Sequence, residues 1–259
     1  MTQLEPAGND IDRAMSKVAE VTLLFWIMKV IATTLGETAG DFISMTMGLG
    51  YITGLAITSS LLLLILTVQV RARRFHASLF WLGIIATTTA GTEVSDMMDR
   101  TLGLGYVAGS LILAGGLLVT LAVWYYRDRD LSVDPIIRRD AEIMFWIAVT
   151  FSNSLGTAFG DALVDVVGLS YIQGALVTAG VIGLVLLLHY RTRVNEIALF
   201  WLAFIFTRPF GATFGDFLTK PLAKGGMHLG RMDASIVAFA LLGVVMLIST
   251  RTSERPVSA

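Results

Sequence analysis

Aspartate recurs four times in this chain at one fixed distance from a repeated Phe-Trp pair. Each aspartate stands fifteen residues after the tryptophan and directly follows a glycine or a serine. Inside a strongly apolar chain, carboxylates are costly and mark functional sites, and their oxygens are the ligands that Mg²⁺, Ca²⁺ and Mn²⁺ prefer. The residues that we predict to bind a divalent cation are these aspartates and two neighbouring glutamates: Asp41, Asp96, Asp161, Asp216, Glu37 and Glu93.

Further ionisable residues near the same height predict proton carriage or counter-charges. Asp99 and Asp165 each follow one of the repeated aspartates by about one helical turn. Lys29 and Arg208 are cations within apolar runs, and Arg208 precedes Pro209, which predicts a distorted or broken helix. We therefore assign these four charged residues to proton coupling or to counter-charge.

The charges in this region do not balance. Eight acids face four cations, and the surplus of four negative charges indicates a bound cation or bound protons. The four cations are Lys29, Arg100, Arg208 and Lys220. The uncharged polar residues that we expect to line the same interior are Thr34, Thr89, Asn153 and Ser154.

A structural interpretation of the aspartates stays open. An aspartate that follows a small residue near a helix end can cap the next turn or contact interfacial water. Glycines four residues apart, such as Gly36 and Gly40, also allow helices to pack closely in lipid.

The elements that must position these residues are apolar helices in four repeated units. Trp26 and Trp146 are 120 residues apart, as are Trp81 and Trp201, which divides the chain into two halves of two units. Each unit has two apolar runs around a glycine-rich turn, which is typical of a transmembrane helical hairpin. The expected spans are near 18–41, 51–70, 77–97, 106–126, 142–163, 171–190, 196–218 and 232–250.

Composition limits the class of protein. The 259 residues are 55% hydrophobic and only 15% charged, whereas soluble domains carry about 25% charged residues. A net charge of −1 excludes a basic nucleic-acid-binding protein, and the lack of cysteine excludes thiolate sites. No P-loop, GxSxG or HExxH motif occurs. We therefore predict neither an enzyme nor an organic cofactor. The expected partners are the lipid bilayer, a small cation and protons, and a homodimer stays open.

The predicted fold is an all-α integral membrane protein with eight transmembrane helices, as four helical-hairpin repeats in two tandem halves. The expected boundaries are a tail at 1–17, a first half at 18–126, a charged linker at 127–140, a second half at 141–250 and a tail at 251–259. Arginines concentrate between units rather than within them. Short positively charged loops stay cytoplasmic, so we expect both termini to be cytoplasmic in a multi-pass protein of the bacterial inner membrane.

At the repeated FW…G…[GS]D frame, the whole chain resembles a group of bacterial multi-pass proteins known only as uncharacterised membrane-anchored proteins. That resemblance implies a membrane location and no activity. The stretches 37–42 and 93–97 are also similar to the duplicated Glu-x-Gly-Asp-(Lys/Arg)-(Ser/Thr) signature of cation–proton exchangers. The first stretch has one extra residue before its glycine, the second has Ser95 in place of glycine, and in neither does a basic residue follow the aspartate. The similarity implies export of a divalent cation, with Mn²⁺ and Ca²⁺ as candidates.

These features together predict a secondary transporter, an exporter, that exchanges a divalent cation such as Mn²⁺ or Ca²⁺ for protons through intramembrane carboxylates. Two alternatives stay open. One is a membrane scaffold or sensor that transports nothing and holds a structural ion. The other is a cation channel, in which a ring of acids at one depth selects cations.

Overall fold

A computed structural model describes residues 16–253 of the chain. The predicted tails at 1–17 and 251–259 lie outside this range, except for residues 16–17 and 251–253. The described part is all-helical and contains no strand. Its eight long helices are α1 (Leu23–Asp41), α2 (Gly50–Arg71), α3 (Ala77–Asp96), α4 (Gly105–Asp128), α5 (Arg139–Asp161), α6 (Tyr171–Arg191), α7 (Glu196–Thr219) and α8 (Arg231–Ser253).

Seven of these helices are long and apolar enough to cross a membrane, and α3 is the exception. Helix α3 is more polar because it carries three consecutive threonines at 87–89 together with Glu93 and Asp96. The side chains of Thr87, Thr88 and Glu93 are fully buried, and Asp96 is 2% exposed. The polar side chains of α3 therefore face the interior of the bundle.

The eight helices form two concentric layers. Helices α1, α3, α5 and α7 make a closed inner ring, in which each packs against the next and α7 packs against α1. Helices α2, α4, α6 and α8 lie outside it. In α1, α5 and α7, 61% of the most apolar segment is buried, against 17–28% in the outer helices. The outer layer therefore carries the exposed apolar surface.

The two helices of a unit do not pack as a hairpin, which corrects the interpretation made from the sequence. Helix α2 packs against α3, α4 against α5, α6 against α7, and α8 against α1. The cause lies in the connections, since α1, α3 and α5 continue into π-helical turns at Phe42–Thr46, Met97–Thr101 and Ala162–Val166. Gly48 and Gly50 then adopt φ angles of 69° and 73°, which glycine reaches without steric cost. The chain thus crosses to the inner helix of the next unit, and the last unit closes the ring on the first.

Glycine ten residues after each tryptophan brings neighbouring inner helices into close contact. A Cβ atom at Gly36 would lie 2.2 Å from Thr88 Oγ1, and one at Gly211 would lie 2.3 Å from Thr33 Oγ1. The corresponding glycines of the second and third units, Gly91 and Gly156, are packed equally tightly. The repeated glycine is therefore the contact between each inner helix and the next, as small residues are in membrane helix pairs.

The fourth unit departs from the other three in its inner helix and its connection. Helix α7 is continuous through Pro209, so the predicted break is wrong. Arg208 and Pro209 together pack against Gly156 of α5, where a Cβ would meet both side chains at 2.4 and 2.9 Å. Instead of a π-helical turn, a 3₁₀ turn at Leu222–Lys224 leads into α8.

Aromatic side chains fill the end of the inner ring at which its helices begin. Phe25, Phe80 and Phe145 are at most 1% exposed, and Phe204 is fully buried. Ring centroids are 6.5 Å apart for Phe25 and Phe80, and 6.4 Å apart for Phe80 and Phe145 and for Phe145 and Phe204. Phe200 closes the cycle, at 5.5 Å from Phe204 and 6.4 Å from Phe25. We call these five residues the aromatic plug, and this end the Phe–Trp end.

Candidate cation site at the aspartate end

The repeated aspartates lie at the opposite end of the inner ring, which we call the aspartate end. Asp41, Asp96 and Asp161 are the last residues of α1, α3 and α5, and Asp216 lies in the last turn of α7. All four are buried, with exposed fractions of 1–5%. The first three precede the π-helical turns, and their side chains make no capping hydrogen bond there. The capping interpretation therefore gains no support from the geometry.

Two basic residues hold the four aspartates in two pairs. Arg100 Nε lies 3.0 Å from Asp96 Oδ1, and its Nη2 lies 3.0 Å from Asp161 Oδ2. Arg100 thus connects the ends of α3 and α5, which belong to adjacent units. The aspartates of the second and third units therefore share one guanidinium group, which compensates one of their two negative charges.

Lys220 makes the equivalent bridge in the other half of the ring. Its Nζ lies 2.9 Å from Asp216 Oδ1 and 2.8 Å from Asp41 Oδ2. Lys220 and Arg100 both stand nineteen residues after a tryptophan, where the first and third units have Met45 and Asp165. The aspartate end therefore has an approximate two-fold arrangement, in keeping with the two halves of the sequence.

Arg231 is a further cation in this network. Its Nε lies 3.3 Å from Asp41 Oδ2, so the start of α8 is tied to the end of α1. The surplus of four negative charges counted from the sequence falls to three, because Arg231 adds a fifth cation to the eight acids. Among residues 16–253, the acids of this group that make no ion pair are Glu93, Asp99 and Asp165.

A second layer of charge lies deeper along the inner ring. Arg208 is fully buried, and its Nη2 lies 3.0 Å from Glu37 Oε2 on α1, as expected for a partner from another unit. The same nitrogen donates to Thr92 Oγ1 on α3 at 2.6 Å. One guanidinium group thus joins α7, α1 and α3, at the sequence position that Thr33, Thr88 and Asn153 occupy in the other units.

Lys29 lies between this layer and the aromatic plug. Its Nζ donates to Asn153 Oδ1 at 3.0 Å and stands 4.0 Å from the centroid of the Phe204 ring. Asn153 in turn donates to Thr87 Oγ1 at 3.0 Å. Lys29 is fully buried, so it does not extend to the bundle surface. Its contacts are a neutral amide and an aromatic face, both of which accept a cation.

Three of the six predicted cation ligands come together. Glu37, Asp41 and Asp216 each offer a carboxylate oxygen, and the three oxygens lie within 4.8 Å of one another. We call these three residues the carboxylate cluster. Asp96 and Asp161 are held apart from it by Arg100, and Glu93 is directed toward Gly54 on α2. We also expected the four aspartates to converge on a shared polar cavity. They lie in two groups, Asp96 with Asp161 and Asp41 with Asp216 and Glu37, and one aspartate of each group, Asp161 and Asp216, lines the cavity described next.

A cavity of about 360 Å³ opens next to the cluster at the aspartate end. Asp216 and Lys220 lie in its wall, so the cavity reaches the cluster directly. Asp165 also lines it, whereas Asp99 is 7% exposed and accepts a hydrogen bond from Ser95 at 3.3 Å. The lining residues are Met45, Arg100, Tyr106, Asp161, Val164, Asp165, Tyr171, Asp216, Lys220, Pro221, Lys224 and Arg231.

Of the four residues predicted to line the interior, Asn153 alone contacts the charged groups of the ring. The hydroxyls of Thr34, Thr89 and Ser154 donate to the carbonyl oxygens of Val30, Ile85 and Thr150, four residues earlier in their own helices. Such bonds satisfy a hydroxyl inside an apolar helix without any ligand. These three positions therefore have a local structural explanation.

Sequence reasoning missed the bridging role of Arg100 and Lys220 and the contribution of Arg231. A signal was present for the first two, because each follows an aspartate by four residues and shares one offset from tryptophan. Arg231 carried no such signal, since only the packing of α8 against α1 brings it to Asp41.

The four repeated units of the sequence match a known family of repeats. The family model described as Repeat of Unknown Function (DUF347) matches residues 24–75, 79–130, 144–195 and 199–255, which is most of the chain. The chain belongs to this family. Each DUF347 repeat contains one inner helix and the outer helix that follows it, so the four units found in the sequence are confirmed. No curated protein and no solved structure matches the chain. The likeness to cation–proton exchangers therefore gains no support from the comparisons.

Proposed function

We propose that this DUF347 protein is an integral membrane protein with eight spans, whose Phe–Trp end and both termini face the cytoplasm of a bacterial cell. The exposed apolar surface of the outer helices supports membrane insertion. Helix α3 is too polar to face lipid, but it lies in the inner ring, where its polar side chains are covered. Orientation follows from the arginines between the units, which favour the cytoplasmic side.

The function that the site supports best is secondary transport of a small cation, a divalent metal exported in exchange for protons. The observation that carries this proposal is the carboxylate cluster beside a cavity, which it reaches through Asp216. Three carboxylates can supply the oxygen ligands that a hard divalent cation requires. The cavity opens at the aspartate end, whereas the aromatic plug fills the Phe–Trp end. This arrangement fits one state of a transporter that exposes its site to one side at a time.

Lys220 suggests how a cation enters the site. Its ammonium group lies between Asp41 and Asp216, in the position that a substrate cation would take. A divalent cation that enters the cavity displaces Lys220 from both carboxylates, and Lys220 returns when the cation leaves. The buried acids then stay neutralised in both states, which avoids the cost of several kcal/mol for an unpaired buried charge.

The two alternative functions are less well supported. A channel needs a continuous water path, and at the Phe–Trp end four of the five rings of the aromatic plug are at most 1% exposed and pack against one another. A structural ion is needed where acids lack partners, and the four repeated aspartates are already paired with Arg100, Lys220 and Arg231. Transport is therefore the function that accounts for both the carboxylate cluster and the aromatic plug.

Flux measurements with matched variants test this function. Purified protein in liposomes should take up Mn²⁺ or Ca²⁺ saturably when a proton gradient is imposed. Asp216→Asn removes one charged ligand, so the affinity for the cation should fall about tenfold or more, because a charge-assisted interaction contributes about 1.5–3 kcal/mol. Glu196→Gln is the control, since it makes the same chemical change on the exposed start of the same helix.

Two results would overturn the proposal. One is an equal flux of these ions into liposomes with and without the protein. The other is an Asp216→Asn protein that folds and transports as the unmodified protein does. A current that is driven by voltage and does not saturate would assign the protein to the channels instead.

A further inference from the structure

Glu93 is a buried carboxyl group without a partner. Its side chain is fully buried on α3, and neither of its oxygens has a hydrogen-bond partner in the described part of the protein. No ion pair includes it among residues 16–253 either. An ionised carboxylate in such a place would cost several kcal/mol, whereas a protonated carboxyl is neutral and far less costly to bury.

The other repeats show that the fold does not require a carboxyl group at this position. The equivalent residues, twelve after each tryptophan, are Thr38, Ala158 and Thr213. Thr213 packs against Gly174, where a Cβ would lie 3.0 Å from Thr213 Cγ2, and Glu93 packs in the same way against Gly54. A smaller side chain therefore occupies this position in three units, and in the fourth unit Thr213 makes the contact with an outer-helix glycine that Glu93 makes in the second. Its carboxyl group is an addition to that contact.

The charged groups around Glu93 are acids. On α1 they are Glu37 and Asp41, both members of the carboxylate cluster, and on α3 itself Asp96 lies three residues further on. The neighbouring residue on α2 is Gly54, and that helix carries its only Asp, Glu, Lys or Arg side chain at Arg71, its last residue. From α5, Asp161 belongs to the network but is paired with Arg100. Arg208 of α7 donates to Thr92 Oγ1 beside Glu93, but its ion pair is with Glu37. The Ser44 hydroxyl also lies near Glu93, but it donates to Gly40 O at 3.0 Å, so no ion pair among residues 16–253 stabilises an ionised Glu93.

We propose that Glu93 is the proton-binding residue of this protein, separate from the cation cluster and coupled to it through Glu37 and Asp41. In the state described, the Glu93 carboxyl keeps its proton. A divalent cation that takes the place of Lys220 between Asp41 and Asp216 adds one positive charge at the cluster, which favours an ionised Glu93. The O–H bond of Glu93 then breaks, the electron pair stays on the carboxylate, and the proton passes to water in the cavity. The proposal rests on the proposed function for its coupling to transport, but not for the presence of the proton.

Infrared spectroscopy of the reconstituted protein at neutral pH tests for the proton directly. The unmodified protein should show the carbonyl absorption of a protonated carboxylic acid, and Glu93→Gln should lose it. Glu196→Gln is the control and should keep the band, because it makes the same chemical change at the exposed start of α7, away from Glu93. Glu93→Thr serves as a second variant that the fold accommodates, since Thr38 and Thr213 occupy the equivalent positions. If both folded variants keep the full band, Glu93 is ionised and the proposal is wrong.

Proton release on cation binding tests the coupling. Addition of Mn²⁺ to the unmodified protein in weak buffer should release protons. Glu93→Gln should still bind Mn²⁺ but release none, and it should bind more weakly at neutral pH, because the coupling of proton release to cation binding is reciprocal. Equal release from both proteins would overturn the assignment of the coupled proton to Glu93. If the unmodified protein binds and transports no cation, the proposed function fails, whereas the infrared result still decides whether Glu93 holds a proton.

Discussion

The two ends of the inner ring are built from the same four helices and solve different physical problems. At the Phe–Trp end, Phe25, Phe80, Phe145 and Phe204 fill the axis with side chains that need only close packing. At the aspartate end, buried carboxylates need a cation, a proton or water. The first end has one stable arrangement, and the second has partners that can be exchanged. The aromatic packing of the ring and its buried charges are therefore located at opposite ends.

The symmetry of the two ends differs for the same reason. Aromatic rings carry no net charge, so every unit can contribute an equivalent ring: Phe25, Phe80, Phe145 and Phe200 precede the four repeated tryptophans, and Phe204 of the fourth unit adds a fifth ring. Charges have a sign, so each basic residue must be shared between acids. Arg100 and Lys220 come from the second and fourth units only, and each bridges to the unit that follows. The ionic end is therefore two-fold although the backbone repeats four times.

The largest loss of stability is expected from a substitution in the aromatic plug. Phe80 is fully buried and contacts the rings of Phe25, Phe145 and Trp146 at 5.5–6.5 Å between centroids. Phe80→Ala should lower the free energy of unfolding by about 3–5 kcal/mol, because it leaves a cavity among rigid neighbours. Thermal or denaturant unfolding in detergent measures it. Leu82→Ala, on the exposed side of the same helix, is the control. Cation affinity of the folded Phe80→Ala protein should not change; a tenfold loss would show that the two ends are not separable.

A smaller effect is expected midway between the ends, where the inner helices touch. A Cβ at Gly211 would lie 2.3 Å from Thr33 Oγ1 and 2.8 Å from the backbone carbon of Thr33, so rotation of the Thr33 side chain alone does not relieve it. Gly211→Ala should therefore destabilise the protein by about 1–3 kcal/mol. Gly115→Ala on α4 meets nothing within 4 Å and should cost nothing. Equal stability of the two variants would show that the repeated glycine does not hold the ring together.

The smallest effect should come from an exposed ion pair outside the plug. Arg127 Nη2 lies 3.2 Å from Asp140 Oδ2, but the two side chains are 51% and 36% exposed. Arg127→Gln should change the free energy of unfolding by less than about 1 kcal/mol, because water already solvates both charges. The same unfolding measurement applies, with Leu82→Ala again as reference. A loss of unfolding free energy as large as that of Phe80→Ala would mean that charges, and not aromatic packing, stabilise the Phe–Trp end.

The sequence predicted the four-unit frame, the all-helical class and the approximate limits of the eight helices. These predictions depend on local patterns, since apolar runs, glycine turns and the Phe-Trp frame are visible without knowledge of any contact. It also placed Arg208 with an acid from another unit, because a buried cation needs a counter-charge, and Glu37 proved to be that acid. The break expected at Pro209 did not follow, because Gly156 on α5 makes room for Arg208 and Pro209.

By itself, then, the amino-acid sequence determined which residues repeat, which helices form and that acids would be buried in an apolar chain. Only the tertiary structure decided which acids meet. Helix pairing between units, and not within them, brings α8 to α1 and so adds Arg231 to Asp41. It also leaves Glu93 against Gly54 on α2, outside the carboxylate cluster. The physical reason is that an ion pair needs its two charged groups within about 3–4 Å of each other. The repeat spacing sets how far along the inner ring a residue lies, but not which neighbouring helix its side chain faces.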